Sequence, residues 1–172
     1  MRGAQFRLLM TTDAVGGVWQ YSTELAGALA EHGFAVVLAV LGPRLAMPQR
    51  VQAEALPSVT VIETGLALDW LANAEATRAA ADRIAELARE QAVDLVHLNS
   101  PALAADAGFN VPVIGVAHGC VSTWWEAART EPLAPEFHWH RDMTARGLRA
   151  CDRVIAPTAS YAETVRRHYR LA

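Results

Sequence analysis

Six short apolar runs alternate along this chain with longer segments of helical periodicity. The runs are Phe6 to Met10, Ala35 to Leu41, Val59 to Thr64, Leu95 to Leu98, Val113 to Ala117 and Arg153 to Ala156. Each is too short for a helix, most are rich in Val, Ile and Leu, and the central ones lack the polar alternation of a half-solvated strand. Strands separated by helices return to the same end of a sheet, so they pair in parallel. The predicted fold is therefore α/β, a doubly wound, mainly parallel sheet with helices on both faces. At 172 residues and 52% apolar content, the chain has enough core for one domain without disulfides or metals.

Between the first two runs, Leu25, Leu29 and neighbouring alanines recur at helical spacing, and Gly33 stands where a helix C-terminus favours a left-handed residue. This predicts a helix from about Val18 to His32. A second, alanine-rich helix is expected from about Leu71 to Gln91, turning Ile84, Leu87 and Ala88 inward and Arg78, Glu86 and Arg89 to solvent. Pro43, Pro48 and Pro57 make Gly42 to Ser58 an irregular crossover with a short helix around Gln49 to Ala55. Ser160 and Glu163 have capping-box spacing ahead of a last helix through Tyr169. No internal repeat or domain boundary interrupts the pattern.

The formal net charge of -3, with the 15 basic residues scattered and only Arg166, Arg167 and Arg170 forming a loose basic end, argues against a nucleic-acid binder. All of these basic residues are arginine, a compositional bias that carries no functional weight. Cys120 and Cys151 match neither a CxxC motif nor a disulfide framework. No apolar run reaches membrane-span length, and the first residues lack the order of a signal peptide. The expected location is cytoplasmic, with association at a membrane surface left open.

Polar and special residues cluster after the strands, where ligands bind in open parallel sheets. The first loop, Thr11-Thr12-Asp13-Ala14-Val15-Gly16-Gly17-Val18-Trp19, joins a strand to a helix through two glycines. Such a pair serves either backbone approach to an anion at the helix N-terminus or a tight turn for helix–strand packing. It is not a dinucleotide fingerprint, for the Gly-x-Gly-x-x-Gly order and the acid after the second strand are missing. Asn99-Ser100-Pro101 follows the fourth strand, His118-Gly119-Cys120 the fifth and Pro157-Thr158 the sixth. His118 stands where a buried strand emerges, placed either to donate to a sugar hydroxyl and stabilise developing charge or to shape its own loop. His97 lies within a strand and reads as structural, and Cys120 is disfavoured as a nucleophile. His138 and His140, two apart in a helix, face different ways and make no metal pair. Of Trp124, Trp125 and Trp139, any of which could stack on a ligand, packing is expected for at least two.

In combination these pieces resemble the N-terminal domain of the GT-B fold retaining glycosyltransferases of family four, also called group one. The carriers are Asp13-Ala14-Val15-Gly16-Gly17-Val18, Thr23-Glu24-Leu25-Ala26, Leu29-Ala30-Glu31-His32-Gly33, Asp94-Leu95-Val96-His97-Leu98-Asn99, Ala117-His118-Gly119 and Cys151-Asp152-Arg153-Val154-Ile155-Ala156-Pro157-Thr158. The resemblance implies a Rossmann-like half of a two-domain enzyme that moves a sugar from a nucleotide-diphosphate donor to an acceptor with retention. It implies that Gly16 and Gly17 lie near the donor diphosphate and the acceptor, and that His118 is the catalytic-site contact to the donor sugar. It further implies Asp13, Asn99, Ser100, Thr123 and Trp124 on the acceptor side. No cofactor and no metal are expected. The family's two glutamates eight positions apart, which belong to a C-terminal donor-binding domain, are not found in the sequence. Residues 1–172 are thus expected to be a single acceptor-side domain, inactive alone and partnered by a donor-binding domain in cis or in trans. The alternatives are a split-enzyme subunit, a non-catalytic interaction module using Val15, Val18 and Trp124 as an exposed apolar face, and a GT-B epimerase.

Overall fold

The computed structural model describes residues 5–171. The two ends of the expected 1–172 domain, residues 1–4 and Ala172, lie outside them. Six parallel strands form one sheet: β1 (Phe6–Asp13), β2 (Phe34–Leu41), β3 (Val59–Glu63), β4 (Leu95–Leu98), β5 (Val113–Val116) and β6 (Arg153–Ile155), in the order β3-β2-β1-β4-β5-β6. The expected doubly wound, parallel α/β architecture is the one observed. β1 continues past Met10 through Asp13, because Thr11, Thr12 and Asp13 stay in register with Ala39, Val40 and Leu41 of β2.

Strand side chains alternate between faces, so one sheet feeds two cores. Leu8, Met10, Val36, Leu38 and Val40 pack with Trp19 and Ala26 of α1 (Gly17–Glu31). Leu9, Val37, Ala39, Val96 and Leu98 pack on the other face with Ala80, Ala81, Ile84, Leu87 and Ala88 of α3 (Ala74–Glu90). α1 ends, as its sequence indicates, with Gly33 in a left-handed conformation at φ +82°. The crossover helix α2 spans Met47–Glu54, and its Trp19-facing side is held by a Trp19 Nε1–H donated to Gln52 Oε1 at 3.0 Å.

Three boundaries differ from expectation. Asp69–Leu71 is a separate 3-10 turn, and α3 starts only at Ala74, where the Asn73 side chain caps it by accepting from Ala76 N at 2.9 Å. Beyond His118-Gly119-Cys120, a helix without a start signal in the sequence forms as α4 (Val121–Ala128), followed by α5 (His138–Ala150). The last helix, α6 (Ala159–Tyr169), is capped by Thr158 rather than Ser160: Thr158 Oγ1 accepts from Tyr161 N at 3.1 Å, and Ser160 already lies inside the helix. Among the described residues, no helix is long and apolar enough to cross a membrane.

Candidate functional site

The extension of β1 brings its end beside Asn99, the first residue after β4, at the point where strand order reverses and open α/β sheets bind ligands. Asn99 is tied down on several sides. Its backbone N–H donates to Thr11 Oγ1 at 3.0 Å, and its side-chain amide donates to Thr11 O at 2.6 Å and to Ser22 Oγ at 2.9 Å. With both amide hydrogens given away, Oδ1 only accepts, so His118 Nε2, 2.8 Å distant, is the donor. The neutral His118 ring therefore keeps its lone pair on Nδ1. Burial holds this imidazole below its ordinary pKa, which favours the neutral form. Tyr21 of α1 packs edge-on against the same ring at 4.7 Å and sets its hydroxyl 3.4 Å from His97 Nε2. His97 is enclosed in the sheet, as its strand position indicated, and burial pulls its pKa down to about 4.

The glycine loop opens α1 without a side-chain cap and without an acidic residue in the first turn. Gly16 occupies φ 74°, ψ -147°, a conformation essentially confined to glycine. Gly17 has ordinary φ, and a Cβ on either glycine would meet nothing within 4 Å. Packing therefore does not require a bare backbone at Gly17. Gly16 and Gly17 are exposed, and a helix start that lacks a side-chain cap is an arrangement that can accept an anion. Just before it, Asp13 closes a tight turn by accepting Val15 N at 2.7 Å through Oδ1. Burial raises the Asp13 pKa; the Val15 N–H opposes that shift and the negative Asp69 adds to it.

A cavity of about 640 Å³ opens at this edge of the sheet. Its polar lining includes Thr11, Thr12, Asp13, Asn99, Ser100 and His118, and its apolar lining includes Val15, Val18, Trp70, Trp124, Trp125 and Phe137. The loop after β3, which carried no expected function, contributes Leu68, Asp69 and Trp70. Ser100 Oγ–H donates to Asp69 Oδ2 at 2.8 Å, and His140 Nε2 meets the same oxygen at 2.9 Å. Asp69, Trp70, Tyr21 and His140 were not singled out as site residues from sequence. Asp69 is an isolated acid in the apolar stretch Leu66 to Leu71, and that isolation was the only signal it gave.

The remaining expected residues divide. Gly16 and Gly17 stand at the rim, outside the cavity lining. Thr123 points elsewhere: it is buried, with its hydroxyl 3.0 Å from Tyr161 OH and 3.1 Å from Cys120 Sγ, in a network that joins α4 to α6. Thr158 caps α6, and neither it nor Pro157 reaches the cavity, so the loop after β3 replaces the loop after β6 as the fourth contributor. Of the three tryptophans, Trp139 packs against Ala102, Ala105 and Met143; Trp125 is half-buried, its ring 5.7 Å from that of Phe137 and its Nε1–H donated to Glu131 O at 2.9 Å, and it lines the cavity together with Trp124, which is 56% exposed. Val15 is exposed as expected and Val18 is half-buried. His138 turns to Leu133 O and His140 to Asp69, so the two rings do not converge.

Comparison with known proteins bears on the family and the fold. The model of Glycosyltransferase Family 4 matches residues 15–172. No curated protein matches the chain. Among solved structures, LpCGTa in complex with UDP superposes with a TM-score of 0.59 at 16% identity, over 90% of this chain and 47% of that one. UGT2 of Phytolacca americana, complexed with UDP-2fluoro-glucose and pterostilbene, gives 0.55 at 15% identity over 95% and 50%. A UDP-N-acetylglucosamine 2-epimerase of Listeria monocytogenes, so described provisionally, gives 0.60 at 16% identity over 95% and 42%. At these identities the likeness is one of fold, and the chain spans about half the length of the structures it matches.

Proposed function

The chain belongs to glycosyltransferase family 4, its sheet being the N-terminal Rossmann-like half of a GT-B architecture, and from that premise we propose that it is the acceptor-side domain of a retaining transferase. The donor is a nucleotide-diphosphate sugar. In the reaction, the bond between the anomeric carbon and the diphosphate oxygen breaks while the acceptor oxygen bonds to the same carbon from the same face. The acceptor proton leaves on the departing phosphate. The donor-binding domain, in cis or in trans, completes the cleft, and the unpaired Cys120 and Cys151 thiols suit a cytoplasmic setting.

One observation carries this reading: an uncapped helix start, an oriented neutral histidine and a largely apolar cavity share one edge of the sheet. The α1 amides at Gly16 and Gly17 would face the diphosphate, where developing negative charge needs fixed donors. His118 would meet the donor sugar through Nδ1, in a tautomer already set by Asn99. Asp13, Asn99, Ser100 and Trp124 surround the acceptor; Thr123 supports α4 instead.

The test is made in the full-length polypeptide. His118→Ala is expected to lower kcat by about 100-fold or more, with the thermal midpoint unmoved. Gly17→Val, whose side chain has open space in the fold, should lower kcat/KM for the donor while the protein stays folded. Unchanged turnover in both variants overturns these roles. NMR of the product's anomeric proton reports retention directly, and epimerised nucleotide sugar in place of a glycoside would identify an epimerase.

A further inference from the structure

The cavity lining contains two carboxylates, Asp13 and Asp69, and no arginine, in a chain that has no lysine. Arg129 stacks on Trp124 and Trp125, 5.7 Å from each ring centroid, without entering the lining. The oxygens of Asp69 are used unequally. Oδ2 takes both the Ser100 hydroxyl and His140, whereas Oδ1 has no protein partner among the described residues. Asp13 repeats the pattern, with Oδ1 committed to Val15 N and Oδ2 uncommitted.

Asp69 is nine-tenths buried, as is His140 behind it. Two more polar atoms of this wall, His140 Nδ1 and Thr144 Oγ1, one turn apart on α5, are shut from water and have no partner. A buried polar wall with unmet acceptors favours whatever brings it hydrogen-bond donors. The same cavity offers Trp70, Trp124, Trp125 and Phe137, flat apolar surface for a planar body. An anion entering here would face two carboxylates in a half-desolvated space with no arginine in its lining, the nearby Arg129 being stacked on the Trp124 and Trp125 rings.

We propose that the acceptor is an uncharged or cationic molecule with a flat apolar body and a hydroxyl or ammonium donor that meets Asp69 Oδ1, and that phosphorylated and carboxylated acceptors are excluded. The word acceptor rests on the transferase reading above; the charge selectivity of the cavity does not. Asp69 is the specificity determinant. Ser100 and His140 fix its carboxylate with Oδ1 directed to the ligand. The anionic donor would meet the α1 N-terminus, where the first turn carries no acid and the Asp13 carboxylate just before it is held by Val15 N.

The experiment titrates the full-length polypeptide with para-phenylphenol, para-phenylbenzylamine and para-phenylbenzoate, matched in body and differing in charge, with tryptophan fluorescence and calorimetry as readouts. The phenol and the ammonium are expected to bind at least about tenfold more tightly than the carboxylate. Asp69→Asn should shrink that ratio to about threefold or less; should it fail to fold, Asp13→Asn, which still accepts from Val15, is expected to narrow the ratio in the same direction. Equal or tighter binding of the benzoate, or no binding by any of the three, overturns the proposal. A transfer assay separates the two readings. Sugar transferred to an anionic acceptor sinks the selectivity and leaves the transferase standing; selective binding with no transfer to any acceptor does the reverse.

Discussion

Asn99 shows how far a single side chain can be over-determined. Two donated amide hydrogens and one accepted bond leave it a single orientation, and that orientation dictates the tautomer of His118. Behind the site, His97 is held neutral at a cost that pH exposes. Its folded pKa of about 4 lies below its ordinary 6.5, so the unfolded chain takes up a proton that the folded chain refuses. Stability is therefore expected to fall as pH drops through that window, by on the order of 3 kcal/mol when His97 alone is counted. Asp13, raised by burial, opposes the loss by taking a proton in the folded state first. Urea midpoints measured from pH 7 to pH 4 check this; His97→Gln should flatten the slope, and an unaltered slope would show that another group carries it. At this scale the sequence was partly legible. Asp13, Asn99 and His118 stand at or just beyond the ends of strands, a position that can be read from order alone. Asp69 and His140 are 71 residues apart and find each other only through packing, so no local pattern announces the pair.

Among the elements, the strands were legible because an apolar run without alternation has few other structures open to it, and their observed ends differ mainly where polar residues continue a pairing, as at Thr11 to Asp13. α4 was not legible. Val121, Thr123, Trp124 and Trp125 have modest helix propensity, and Cys120 gives it no side-chain cap. Tertiary support supplies what propensity does not: Ser122 Oγ and Tyr169 OH lie 2.7 Å apart, and His168 bridges Ser122 and Glu126 from α6. α5 is placed by contact with the 3-10 turn Pro101–Ala104, which carries the cavity wall. A methyl group at Gly147 would overlap the Pro101 carbonyl, so the helix and turn can meet this closely only through glycine. Gly147→Ala is expected to cost about 3 kcal/mol and lower the thermal midpoint by roughly 6–12 °C. Gly17→Ala, with open space around it, is the control that should leave the midpoint in place; equal midpoints in both would refute the close contact.

For the whole molecule, the strand order β3-β2-β1-β4-β5-β6 follows from elementary rules: parallel strands need crossovers, and a chain that winds outward in both directions from β1 leaves a crevice where the directions part. That crevice is the cavity. The alternation of runs made the class of fold legible, whereas which face each crossover takes, and so which loops converge, depends on contacts spread over the whole chain. The loop after β3 enters the site for that reason.

β1 sits at the centre of the sheet yet is synthesised first, and its neighbour on one side, β4, is reached only after a separation of 87 residues, as between Arg7 and Asp94. At roughly 5–20 residues per second, a ribosome delivers that neighbour about 4–17 s later. In the interval β1, β2, α1 and β3 can assemble as a three-stranded unit, with Leu9, Val37 and Ala39 still lacking most of their cover. The ligand-facing cleft, built on both sides of the β1–β4 junction, cannot close on the nascent chain until β4 and the start of α5 have been made, so early arrest of translation would release a sticky half-sheet with no binding capacity.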